Sequence, residues 1–185
     1  MPVLPIYTYG TPVLRKKAHP VKELTDGTIR LIMDMFETMH HANGIGLAAT
    51  QVGAMQRVIV IDLSDMEETR DLKPIVLINP VIVSQEGLWT MEEGCLSIPD
   101  VRDEVERSEK VKVRFKNADY RDTELEATGL LGRVILHEID HLNGVLFLDH
   151  LPAAKKKLHN PQLRKIQKGE FEVSYPVVTT AEVAV

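Results

Sequence analysis

Apolar residues recur at helical spacing over residues 26–42, where Ile29, Ile32, Met33, Phe36 and Met39 fall on successive turns. Asn43-Gly44 supplies the stop, so the spacing predicts a helix ending there. The period then shortens. Residues 57–62 and 75–83 are short β-rich runs. Residues 110–116 alternate strictly, with Val111, Val113 and Phe115 on one face and Lys112, Arg114 and Lys116 on the other. That pattern predicts a half-buried strand. Residues 121–127 alternate more weakly and should pair with it through a turn at 117–120. A second helix is expected from Gly129 to Leu142, ended by Asn143-Gly144, and its apolar content predicts a central, buried position. Mostly antiparallel strands with segregated helices define an α+β fold.

The pattern changes again from Pro152. Lys155, Lys156, Lys157, Arg164, Lys165 and Lys168 make a basic, helical stretch with no acid before Glu170. Asn160-Pro161 should break or kink it. Residues 171–178 read as a short terminal strand or a loosely attached extension, and 181–185 as a frayed end. The expected organisation is one catalytic domain over 1–151, with 152–185 as a basic helical extension of it.

Composition adds exclusions. The chain has 185 residues, enough for one domain with a sizeable core, and 44% hydrophobic with 26% charged residues is ordinary for a soluble globular protein. A formal net charge of −5 argues against DNA or RNA as a bulk partner. A single cysteine cannot form an internal disulfide, which fits a reducing compartment. No apolar run approaches the length of a membrane span, and the N-terminus lacks a basic region followed by an apolar stretch. A cytoplasmic location is expected, though a mature organellar form would look the same.

The chemistry concentrates in His137-Glu138-Ile139-Asp140-His141, an H-E-x-x-H motif. On a helix its histidines leave the same face and can hold one metal ion, while Glu138 can handle the proton of a metal-bound water. Leu130, Val134, His137 and His141 form one stripe, as of a pocket floor with a metal at its mouth. Two histidines and two carboxylates within five residues are costly to bury without a metal or partners. A third ligand must come from elsewhere. The metzincin extension keeps Gly144 but places Phe147 where a histidine is needed, and Glu170 and Glu172 lie in the tail without a supporting helical pattern. Cys95, the only cysteine, is the remaining candidate, giving a Cys-His-His site open in its fourth position. Thiolate and imidazole suit Fe(II), Zn(II), Ni(II) or Co(II) better than Mg(II) or Ca(II).

Three blocks resemble the peptide deformylases, in that family's order. They are residues 44–51 (Gly-Ile-Gly-Leu-Ala-Ala-Thr-Gln), 93–97 (Glu-Gly-Cys-Leu-Ser) and 137–141. The resemblance extends over roughly residues 3–150. It departs at Leu136, where family members commonly carry glutamine, and that bears on any hydrogen bond supporting the ligands. The resemblance implies removal of the N-formyl group from the initiator methionine of nascent chains, releasing formate. It implies Cys95, His137 and His141 as metal ligands and Fe(II) as the physiological ion, with Zn, Ni or Co in preparations. It implies that metal-bound water attacks the formyl carbon with Glu138 as base and then acid, and that the Gln51 amide and the Leu96 N–H stabilise the oxyanion. The strand around Ile45 and Gly46 would pair with the substrate backbone. Ile45, Met91, Leu130 and Val134 are expected to line the methionine slot, with Arg133 at its rim. Asp140, on another helical face, is expected behind the ligands, paired with Arg107 or Arg102. The basic stretch 155–168 is a candidate for docking on ribosomal RNA. A metallopeptidase and a metal-stabilised ribosome-binding protein are the competing readings.

Overall fold

Residues 1–183 are described by a computed structural model, and the first long element, helix α1, follows from local sequence. That helix, Asp26–His41, starts where the Thr25 hydroxyl accepts the Thr28 N–H, at the place the periodicity indicated. The buried stripe differs from the expected one. Ile32, Met35 and Met39 are buried, whereas Ile29 and Met33 are 43% and 47% exposed. The helix carries apolar residues on more than one face, so spacing alone did not select the face that packs.

Strands β1 (Ile6–Tyr7), β2 (Gly46–Ala48), β3 (Val58–Ile61), β4 (Ile75–Glu86), β5 (Trp89–Cys95), β6 (Ile98–Arg107), β7 (Lys110–Lys116), β8 (Asp122–Thr128) and β9 (Val177–Val178) form three sheets. The largest has the order β2-β3-β4-β7-β8 and is antiparallel throughout. β7 and β8 pair from Lys110↔Thr128 to Lys116↔Asp122, and Lys110–Glu126, Lys112–Glu124 and Lys116–Asp122 ion pairs cover their outer face. Their inner face buries Val111, Val113 and Phe115 beneath α2, Gly129–Leu142. β3 is buried at all four positions. Ile59 and Ile61 pack in the α2 cluster, and Val58 and Val60 in the α1 cluster, so β3 is covered on both faces. Leu136 lies in the α2 cluster at 4% exposure. Its side chain belongs to the core, where an amide would need a buried partner.

The β5–β6 hairpin was not anticipated. Glu92, Glu93, Asp103, Glu104 and Glu106 interrupt its apolar alternation. The tail after Pro152 folds as α3 (Ala153–Leu158) and α4 (Asn160–Lys168), divided at the Asn160-Pro161 breaker. Leu163 and Ile166 of α4 are buried with Val101 and Val105 of β6 and with Phe147. β9 pairs in parallel with β1, Ile6 opposite Val177, so the segment after 171 is tied to the N-terminus rather than loosely attached. Residues 180–183 form a short helix, α5, where fraying was expected; 184–185 lie outside the described residues.

Asp149 fastens this end of the molecule. It accepts from Arg15 at 2.5 Å, Lys156 at 3.2 Å and the Leu146 N–H at 2.9 Å. Burial would raise its pKa, but these donors prevail and hold it down to about 2, against an ordinary 3.8. A depressed carboxyl pKa stabilises fully above the unfolded value and loses that contribution as pH falls through the folded one. Thermal melts of Asp149→Asn should therefore lose less stability between pH 4 and pH 2 than those of the parent; equal slopes would refute the assignment.

Candidate metal centre and active-site cavity

α2 carries His137 and His141 one turn apart, both buried, with ring centroids 4.9 Å apart. Their Nε2 atoms face each other at 3.2 Å, and Cys95 Sγ, at the end of β5, lies 3.2 Å from the His141 Nε2. All three donor atoms fall within 4.8 Å of one another. Two imidazole nitrogens and a thiol aimed at one point compete for protons there; one cation satisfies all three at once, so this donor set fits a transition metal. It is the one such His/Cys/Asp/Glu group found among the described residues. Phe147, at the metzincin ligand position, is stacked on His137 instead, centroids 6.3 Å apart.

Glu93 stands behind His137, accepting from its Nδ1 at 2.9 Å and thereby turning Nε2 toward the other two donors. Arg107 donates to the same carboxylate at 2.6 and 3.1 Å and Arg133 at 2.9 Å. Burial would raise the Glu93 pKa, but the His137 and Arg107 hydrogen bonds hold it well below the usual carboxylate range. Arg133 does line the cavity, but buried within its wall rather than exposed at a rim. Its guanidinium is buried, bound to Glu93, the Val105 carbonyl and the Trp89 carbonyl. Asp140 contacts Arg107 at 2.6 Å and His150 at 2.7 Å, while Arg102 lies beside Glu92.

A cavity of about 500 Å³ opens over this centre. Ile45, Gly46, Met91, Leu130 and Val134 all line it, as do Cys95, His137 and Glu138. Gln51 is buried; its Oε1 accepts the Ala48 N–H at 2.9 Å and its Nε2 points at Cys95 Sγ, 3.6 Å, and Ser97 Oγ, 3.2 Å. Leu96 follows Cys95 in the tight turn between β5 and β6. Glu138 is buried, with Oε2 lacking any partner in the protein, and burial pushes its pKa up to about 7. Gly46 makes room for it. A Cβ there would lie 2.8 Å from Glu138 Oε1 and 2.7 Å from a Val134 methyl. Gly46→Ala should therefore displace the carboxylate, lowering turnover while metal content stays near one per chain; undiminished turnover would show that the carboxylate position is not decisive.

Sequence reasoning gave no role to Glu93, Ser97, Val173 or Tyr175, though the last two also line the cavity. Glu93 had a signal. Met91, Glu93 and Cys95 alternate along one strand, so a strand assignment would have turned Glu93 toward the same face as the cysteine. Val173 and Tyr175 had none, because they reach the cavity only through the return of the tail.

An α+β scaffold that joins a helix-borne H-E-x-x-H to a hairpin cysteine under one cavity defines a metallohydrolase of the Cys-His-His kind. The chain belongs to the polypeptide deformylase family, whose model matches residues 3–157. It is 48% identical over 185 residues to the peptide deformylase of Salinibacter ruber, covering 96% of this chain and 95% of that one. Among solved structures, it resembles peptide deformylase from Thermus thermophilus with a TM-score of 0.82 and 43% identity, over 91% of this chain and 99% of the other. A Synechococcus elongatus peptide deformylase in complex with actinonin is similar with a TM-score of 0.80 and 42% identity, over 96% and 94%.

Proposed function

We propose that this chain removes the N-formyl group from the N-terminal formylmethionine of nascent polypeptides, with Cys95, His137 and His141 as metal ligands and Glu138 as general base and acid. The observation that carries the assignment is the convergence of the three donor atoms beside the unpartnered Glu138 carboxylate, under the cavity. When bound, the metal supplies Lewis acidity, lowering the pKa of water and polarising the formyl oxygen. The donor set favours Fe(II), Zn(II), Ni(II) or Co(II), and Fe(II) is proposed as the native ion.

The chain's own groups do the rest. Glu138 takes the proton of the attacking water and returns it to the leaving amine. The Gln51 Nε2 and the Leu96 N–H donate to the oxyanion, and losing such a donor costs about 2.7–4 kcal/mol where it has been measured. β2 is an edge strand of its sheet, and Gly44, Ile45 and Gly46 line the cavity together with Met91–Cys95, which supports an extended peptide adding to that edge. Backbone pairing ignores side chains, as suits an enzyme acting on many nascent chains. Ile45, Met91, Leu130 and Val134 receive the methionine side chain.

Ribosome docking and a cytoplasmic setting complete the reading. No helix among the described residues is long and apolar enough to cross a membrane. Lys155, Lys156 and Lys168 pair back onto Asp103, Asp149 and Glu170, which leaves Lys157, Arg164 and Lys165 as the groups to reverse in charge. Truncation is the wrong test because Leu163 and Ile166 are core residues. Salt-insensitive or unchanged ribosome binding after charge reversal would remove this part.

The fate of formyl-Met-Ala separates the reading from a metallopeptidase. Formate and Met-Ala are expected. Cleavage of the Met–Ala bond, or equal attack on the unformylated peptide, would overturn it.

A further inference from the structure

The turn that joins β5 to β6 carries Cys95 and Leu96, yet it is poorly suited to hold itself. Cys95 pairs with Ile98, so Leu96 and Ser97 form a two-residue loop. Such hairpins favour turns with positive φ at the first central residue, because these match the twist of the strands. Neither Leu96 nor Ser97 has positive φ. The pairing is also irregular just before the turn, with a register shift between Gly94 and Cys95. A turn closed against the strand twist needs ties from outside.

Three such ties exist. The Tyr9 N–H donates to the Ser97 carbonyl at 2.8 Å. The Gln51 amide donates to Ser97 Oγ at 3.2 Å. The Tyr175 hydroxyl donates to the Leu96 carbonyl at 2.8 Å, from 79 positions further along the chain. Tyr175 is itself well anchored. Just beyond it, the Ile6 N–H donates to the Pro176 carbonyl at 2.9 Å and the Thr8 N–H to that of Val178 at 3.0 Å. Just before it, Val173 lines the same cavity as Tyr175. The N-terminal strand and the C-terminal tail therefore hold the turn between them.

We infer that Tyr175 is a positioning residue for deformylation: its hydroxyl holds the Leu96 carbonyl and through it the turn, so that the Leu96 N–H, one peptide unit earlier, and the Cys95 thiol keep their aim into the cavity. This makes the tail a working wall of the active site. The inference rests on the deformylase reading and adds to it a residue outside the three sequence blocks. Tyr175 acts through Leu96 and handles no proton of the reaction.

The test compares Tyr175→Phe with Tyr120→Phe. The Tyr120 hydroxyl also donates to a backbone carbonyl, that of Val21, at the same 2.8 Å, but in the β7–β8 turn. Both variants lose one comparable hydrogen bond, so a purely structural role moves both alike. Tyr175→Phe should lower kcat for formyl-Met-Ala about tenfold, at the low end of what supporting groups around metal sites contribute. KM and metal content should stay near the parent's, and hydrogen exchange should quicken over residues 95–98. Tyr120→Phe should leave kcat as it is. Unchanged kcat in Tyr175→Phe, a rise in KM alone, or a loss matched by lost metal would each overturn the inference. Absence of formate release by the parent would instead count against the deformylase reading, with the exchange at 95–98 still reporting on the turn.

Discussion

Glu138→Gln should lower formate release by about 10²–10⁴-fold, the range that a positioned general acid–base group contributes. The expectation comes from geometry. Glu138, between His137 and His141 in sequence, is buried, with Oε2 unpartnered and room left for Oε1 by the missing side chain of Gly46. An unsatisfied buried oxygen is costly to stability, so its persistence calls for another role. The variant should keep its metal and melt no lower than the parent. Stoichiometric metal analysis beside the kinetics decides the matter. A binding protein with a structural metal would lose nothing on this substitution, and a variant that lost its metal would make Glu138 a structural support instead.

Glu93→Gln should have the largest effect on stability. The Glu93 carboxylate is the common acceptor for Arg107, Arg133 and His137, and both arginine side chains are nearly inaccessible to solvent, at 5% and 3%. Removing one partner of a buried ion pair leaves the other uncompensated, which costs about 3–5 kcal/mol. Arg107 retains Asp140, whereas Arg133 keeps two carbonyls and the face of the Trp89 ring but no carboxylate. The melting temperature should fall by about 10 °C, given 2–4 °C per kcal/mol for a protein of this length. Metal affinity should fall too, since a neutral amide accepts more weakly from His137 and reduces its basicity as a ligand. A melting temperature within a degree or two of the parent's would show that the arginines find other partners.

What could be read in advance was what is local. The α2 helix, the β7–β8 pair and the breaker at Asn160-Pro161 rest on spacing within one short stretch of chain, and each formed where the pattern put it. The three blocks that carry the family resemblance held enough chemistry to name a metal site, because H-E-x-x-H needs only helical geometry to converge. The surroundings of that site were not legible. Arg107 and Arg133 reach Glu93 from 14 and 40 positions away, and no local pattern links them to it. The β5–β6 hairpin was hidden by its acids: Glu93 pairs with buried arginines and Asp103 with Lys155 and His159 of the tail, so its alternation is not one of apolar against polar. Ile29 and Met33 misled in the opposite sense. Both are apolar at helical spacing, and both face solvent, since the sheet covers the stripe of Ile32, Met35 and Met39. The tail could not be placed because a strand of two residues, Val177–Val178, leaves almost no pattern.

The central claim is that formyl hydrolysis depends on a metal held by Cys95, His137 and His141. Metal-free protein, titrated anaerobically with Fe(II) while formate release from formyl-Met-Ala is followed, tests it most directly. Activity should be absent at the start, rise in proportion to added metal, and level off at one ion per chain, as one donor cluster requires. Activity in the metal-free protein, or none in folded protein carrying its ion, would contradict it.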